Sequence, residues 1–208
     1  MRRSLPLFSV LSVTALLGAA GCNGGEEALG PSGTVGTSPT TTPTTLRPID
    51  PAVIPENPAD INEAYVQAVV DALFAVDAQA TKTFVETRRL EAEAIDVLGA
   101  IYVPEEVDRE VNAWGQTFAR GSETLLAGAL SNEVRRVLSV AEDCIYVEVL
   151  RDYSETTTRP VTPGTLYLGL TPKQDGDDPT SLNPTPWMIF MDGLNPDGSQ
   201  PENPCESR

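Results

Sequence analysis

The sequence predicts an α+β domain, with helices first and an antiparallel sheet after them, on three observations. Residues 59–98 contain neither Pro nor Gly and carry apolar residues at spacings of three and four. From Glu133 onward the period drops to two and β-branched residues dominate. The strands all follow the helices instead of alternating with them, which separates the α and β regions within one domain of about 158 residues, 51–208.

The first helix is expected to start at Asn57-Pro58, an N-cap residue followed by a proline at the first helical position, with Asp60 and Glu63 in the opening turn. Ile61, Tyr65, Val69, Leu73 and Val76 form its apolar stripe. A second helical stretch carries Phe84, Leu90, Ile95 and Leu98 and stops near Gly99. A third follows Pro104, from about Glu105, with Val107, Val111, Trp114 and Phe118 on one face. Val134–Val140 and Cys144–Leu150, separated by Ala141-Glu142-Asp143, read as a hairpin. In its second strand Ile145, Val147 and Val149 share one face while Tyr146, Glu148 and Leu150 share the other. Thr165–Leu170 and Pro186–Met191 complete about four strands, with a Pro/Asp/Gly loop over 171–185.

Composition removes many functions. There is no histidine among the 208 residues, so Ser-His-Asp and Cys-His nucleophile systems, histidine zinc sites and haem C-x-x-C-H motifs are absent. Thirty acidic residues against 14 basic ones give a net charge of -16, and beyond Arg2-Arg3 at the N-terminus the only basic doublets are Arg88-Arg89 and Arg135-Arg136. A nucleic-acid partner, which needs clustered Lys and Arg, is not expected. No cofactor motif is present either: Gly121 and Gly128 do not belong to a phosphate-binding G-x-x-x-x-G-K-[ST] loop.

The N-terminus reads as a secretory signal. Arg2 and Arg3 precede a short apolar stretch, Leu5–Ala20, broken by Pro6, Ser9, Ser12 and Thr14 and too short and polar to span a bilayer. Leu17-Gly18-Ala19-Ala20-Gly21-Cys22 resembles a bacterial lipobox, with Ala19 where Leu is usual. The resemblance implies removal of residues 1–21 and lipidation of Cys22, two acyl chains giving stable attachment to the bilayer. The alternative is an ordinary secreted protein cut after an A-x-A-like site. Removing 1–21 leaves 12 basic and 30 acidic residues, a net charge of -18, so anionic head groups would repel the body and attachment rests on the lipid. Residues 22–50, rich in Gly, Ser, Thr and Pro, read as a flexible tether with an r.m.s. reach of roughly 30 Å. Its Thr-rich stretch either carries O-linked sugars or is a plain spacer.

Two cysteines remain, Cys144 and Cys205, in a chain expected to mature where thiols oxidise, and they are expected to pair. The bond would hold the tail Asn195–Pro204, almost without apolar residues, to the second strand of the hairpin.

The signal with Cys22, the Thr/Pro tether, three helices, Asp143–Val149 followed by Asp152-Tyr153-Ser154, then Thr185-Pro186-Trp187-Met188-Ile189 and a late cysteine resemble actinobacterial lipoproteins of unknown role with an NTF2-like fold. The likeness lies in element order over 57–208 and in Cys/Trp placement. It implies N-terminal helices packed on a curved antiparallel sheet, a cone with a cavity at its open end. Relatives with this fold include small-molecule enzymes, binding domains and partner-binding proteins, so fold alone does not fix function.

Within such a cavity Trp114, Tyr146 and Trp187 are the candidate lining, although Trp114 also fits simple core packing. Glu148 is the candidate carboxylate base, against the plainer reading of a cross-strand partner. Asp175–Asp178 and Asp192–Asp197 suggest calcium turns but lack EF-hand spacing, so no metal site is assigned. The expectation is a non-catalytic binding or interaction module on the outer face of the bacterial cytoplasmic membrane, holding an apolar small molecule or an envelope protein. The alternatives are a cofactor-free isomerase or lyase using a buried carboxylate, and a scaffold whose own side chains fill the cavity. Mass spectrometry of protein extracted from membranes and denatured is expected to give residues 22–208 plus acyl groups, less two protons. A chain beginning beyond Cys22 without lipid would make it a freely secreted protein.

Overall fold

The longest element, α1 (Glu63–Thr87), starts where an asparagine side chain takes over from the missing helical acceptors: Asn62 Oδ1 accepts from the N–H groups of Ala64 and Tyr65 at 3.0 and 3.1 Å. This corrects the expected start at Asn57. Asn57 caps only the single 3-10 turn Pro58–Asp60, because the chain leaves helical geometry at Ile61 before Asn62 begins the helix anew. The computed structural model describes residues 49–121 and 123–206, which fall in one compact unit. The signal segment 1–21, Cys22 and nearly all of the 22–50 tether lie outside the described residues.

α1 runs on through Phe84, which the spacing assigns to the next helix, and ends at Arg88 with φ +58°. α2 (Ala92–Gly99) is short, and α3 (Pro104–Arg120) opens on the proline itself, one residue before the expected start near Glu105. Four strands follow: β1 (Ser131–Ala141), β2 (Cys144–Asp152), β3 (Gly164–Pro172) and β4 (Trp187–Gly193). They form one antiparallel sheet in the order β1-β2-β3-β4, a meander in which each strand pairs with its sequence neighbour. The protein is therefore α+β, three helices packed with a four-stranded antiparallel sheet.

Alternation along the strands separates two faces. Ile145, Val147 and Val149 of β2 stand opposite Leu170, Leu168 and Leu166 of β3 and belong to the face under the helices. Val66, Val69, Val70, Leu73 and Phe84 of α1, with Leu98 and Ile101, close over that face. Burying each such side chain contributes roughly 1.5–3 kcal/mol against the entropy of ordering the chain. On the outer face the rings of Tyr146 and Tyr167 meet at 5.8 Å between centroids. Beside them the Phe190 ring lies over Gly169, where any Cβ would fall 2.6 Å from its Cζ. Phe190 is the extra residue of a bulge in β4: Gly169 pairs with Met191, but the next residue, Leu170, pairs with Ile189.

Cys144 and Cys205 are joined, closing a loop of 61 residues in sequence separation. Near the staple, the Tyr146 hydroxyl donates to Pro201 O at 2.9 Å, so the polar tail is laid against the outer face. Replacing both cysteines by alanine is expected to lower stability by about 4 kcal/mol through the freed unfolded-state loop. Urea unfolding of wild type and variant checks this. A loss below about 1 kcal/mol would mean that contacts such as Tyr146–Pro201 hold the tail without the bond.

Candidate functional site

At the end of the sheet where β2 and β4 finish and β1 and β3 begin lies a cavity of about 400 Å³. That is within the range of small-molecule pockets. α3 supplies one wall: Glu110, Ala113, Trp114 and Thr117, at steps of three, one and three, put an acid, a small residue, an indole and a hydroxyl on one face. Trp114 is fixed from behind by Phe84 and Phe118, with centroids 5.4 and 5.7 Å away. Leu125, Leu130 and Leu166 give the cavity apolar sides.

The floor is polar. Arg151 continues the inward face of β2, so its guanidinium enters the domain instead of solvent. Its Nε donates to Asn132 Oδ1 at 2.7 Å, its Nη2 to Asp192 Oδ2 at 2.8 Å, and its Cζ lies 4.9 Å from the Phe74 ring centroid. Both side chains of the Arg151–Asp192 pair are more than nine-tenths buried. Burial works to lower the Arg151 pKa, and Asp192, by its charge and its hydrogen bond, together with Tyr153 and Tyr102 more than reverses it, so Arg151 stays charged.

Asp77 comes up from α1 into the same floor, buried, with Thr81 Oγ1 donating to its Oδ2 at 3.3 Å. Burial pushes its pKa up to about 6, with Arg151 opposing, Asp192 adding, and hydrogen bonds from Thr81 and Tyr102 lowering it. Tyr102 is set by the α2–α3 connection, which docks on β4: Ile189 N donates to Ile101 O at 2.7 Å and Val103 N to Ile189 O at 3.0 Å. Burial, then the charges of Asp77, Asp192 and Glu110, keep its phenol protonated far above neutrality. Glu110 is raised to about 7 by burial first, then by Asp192 and Asp77. One turn earlier on α3, Glu106 is also raised to about 7 by burial, against the pull of Arg109. Arg109 bonds both the Glu106 carboxylate and the backbone oxygen of Asp192.

Two loops border the mouth and are zipped together. Leu126 N donates to Thr156 O at 2.9 Å, Thr158 N to Thr124 O at 2.8 Å, and Gly128 abuts the Glu155 backbone so closely that a Cβ would lie 1.9 Å from Glu155 O. Leu125, Tyr153 and Thr156 from these loops face the cavity.

Of the sequence candidates, Trp114 lies on the cavity wall. Trp187 does not: it is fully buried in the core, its indole N–H donating to the Tyr65 hydroxyl at 2.9 Å. Tyr146 does not either, since β2 alternation turns it to the outer face under the tail. Glu148, on that outer face, pairs with its register partner Arg136 at 2.7 Å and is the cross-strand partner rather than the base. Asp192 serves the Arg151 ion pair, and Asp178 organises its own loop by accepting from Thr180, Leu182 and Asn183. Among the described residues no group of His, Cys, Asp or Glu is arranged to hold a metal ion, and no helix is long and apolar enough to cross a membrane. Comparison with protein-family models, curated proteins and solved structures finds no match for this chain.

Chemically, Asp77 and Glu110 exchange protons in the neutral range, Tyr102 is a permanent donor, and Arg151 is a fixed charge already committed to partners. Because the folded Asp77 holds its proton to about pH 6 while the unfolded one releases it near its ordinary value of 3.8, stability falls as pH rises between these values. Asp77→Asn is therefore expected to raise stability at about pH 8, by up to about 3 kcal/mol, and to change it little at about pH 4. Thermal unfolding at the two pH values checks the sign. Equal effects at both would place the cost of Asp77 in packing instead of charge.

Proposed function

We propose that the domain is an NTF2-like small-molecule binding module, carried on a lipidated Cys22 and a flexible tether at the outer face of a bacterial cytoplasmic membrane. The observation that carries the binding role is the cavity of about 400 Å³, walled by Trp114 and leucines and floored by buried polar side chains. The apolar cavity expected for such a module gives way to a divided lining, in which an apolar body meets Trp114 and a polar head meets Asp77, Tyr102 and Glu110. Three helices on one face of a four-stranded antiparallel sheet, with the cavity at one end, support the NTF2-like reading. The Cys144–Cys205 bond supports an oxidising compartment, and the signal-like leader with its lipobox supports the anchor.

A second reading is favoured by one specific observation. Asp77, with a pKa near 6 and the Tyr102 hydroxyl beside it, is a carboxylate able to take up and return a proton at neutral pH, as an isomerase or lyase without cofactor would require. In the binding reading the same pair orients the ligand's head and the molecule leaves unchanged.

Native and denaturing mass spectrometry of protein purified from membranes separates bound from covalent mass. The expected result is an added small-molecule mass under native conditions that is lost on denaturation and is absent from Trp114→Ala. Retention by Trp114→Ala with the fold intact, or no added mass in wild type, would count against this cavity as the binding site. Release of a chemically altered molecule by wild type but not by Asp77→Asn would move the assignment to the enzyme.

A further inference from the structure

The cavity wall has more carboxyl groups than cations to meet them. Asp77, Glu110 and Asp192 line it, and the only guanidinium among its lining residues is that of Arg151. Arg151 is held in direct contact by Asn132, Asp192 and Phe74, and it offsets Asp77 and Glu110 only in part, since both remain raised. Arg109 does not belong to the lining and is taken up by Glu106 and the backbone oxygen of Asp192. Asp77 takes its hydrogen bonds from hydroxyls, Arg151 attracts both it and Glu110 without an ion-pair contact, and the Glu110 carboxylate takes no hydrogen bond and no ion pair among the described residues. An anion in this space would face repulsion, and a neutral guest would leave the deficit in place.

The aromatic groups lie where a cation would use them. Glu110 and Trp114 are four residues apart on α3, so their side chains are neighbours at roughly 5–6 Å between Cβ atoms. Ala113, also lining the cavity, fills little space beside them. Trp114, braced by Phe84 and Phe118, presents a rigid indole, and Tyr102 and Tyr153 add two further rings. A ring face together with a carboxylate in a sheltered site is the combination that attracts ammonium groups.

We propose that the cavity binds an organic cation, with a substituted ammonium head between Glu110 and Asp77 and an apolar body against Trp114. This inference rests on the cavity being a binding site and adds the charge of what enters it. It also dictates a dependence on pH. The titratable and charged groups lining the cavity around the head are Asp77 from α1, Tyr102 from the α2–α3 connection, Glu110 from α3, Arg151 from β2, Tyr153 beyond it and Asp192 from β4, with Glu106 and Arg109 of α3 beside Asp192 outside the lining. Of these, Asp77 and Glu110 hold protons up to about pH 6 and 7, so below that range a cation must displace a proton to bind. Affinity for a permanent cation therefore rises as pH increases through that range and levels off above it.

The test uses the full mature protein and two probes of the same shape, benzyltrimethylammonium and its uncharged carbon isostere neopentylbenzene, followed by calorimetry and tryptophan fluorescence. At about pH 8 the ammonium probe is expected to bind at least about tenfold more tightly than the hydrocarbon, and the advantage to shrink at about pH 5. Glu110→Gln, which removes a carboxylate with no hydrogen bond or ion-pair contact among the described residues, is expected to weaken the ammonium probe about fivefold and the hydrocarbon much less. Equal affinity for the two probes at both pH values would overturn the cation while leaving the cavity a binding site. Binding of neither would overturn both. Ammonium binding unchanged in Glu110→Gln would remove the head from the place assigned to it.

Discussion

The ion pair between Arg151 and Asp192 is the constraint on which the cavity end of the protein depends. It runs inside the domain from β2 to β4, over the strand between them, and through Asn132 it reaches β1 as well. Two charges so deeply buried gain little net stability over an apolar pair of the same shape, yet removing one of them strands the other. The pair therefore acts as a demand on its surroundings. Asn132 must present its oxygen, Phe74 must lie beneath the guanidinium, and the helices must stay far enough off the sheet to admit a row of polar side chains. The space left over at that separation is the cavity.

The other end of the sheet solves a different problem. There the β1–β2 turn is two residues long, the inner face is wholly apolar, and the disulfide at Cys144 secures a tail with few apolar residues of its own. Seven residue steps along β2, about 23 Å of strand, separate the covalent staple from Arg151. One strand thus carries both the region of the molecule built for stability and the region that accepts polar groups at some cost in stability.

How much of this was legible depended on whether a residue obeyed the period of its element. The strand faces of β2 followed from alternation, and continuing that alternation two residues past Val149 places Arg151 inside, a signal that the sequence does contain. Asp77 sits four residues after Leu73 and seven before Phe84, on the apolar stripe itself, and a lone carboxylate there marks a buried acid. Asp192 was not legible. Counting by twos from Trp187 and Ile189 turns it outward, and only the bulge at Phe190, made possible by Gly169, returns it to the inside. Tyr102 was hidden for another reason: its position comes from docking on Ile189, a contact 87 residues away in the chain that no local pattern encodes. Trp114 and Trp187 both read as large apolar residues, and which of them borders a space depends on packing between elements. The cysteine pairing was legible because exclusion of Cys22 left only two.

The docking of residues 101–103 on β4 also decides what this sheet can do to its neighbours. It occupies the middle of one outer strand with hydrogen bonds that a second molecule would otherwise make. The opposite strand, β1, is interrupted by two bulges and carries Glu133, Arg135 and Arg136, and the Gln67 side chain has already claimed the Asn132 carbonyl and the Val134 N–H. Neither border offers an unbroken ladder to another copy. Molecules of this kind can be concentrated on a surface without their sheets zipping into one another.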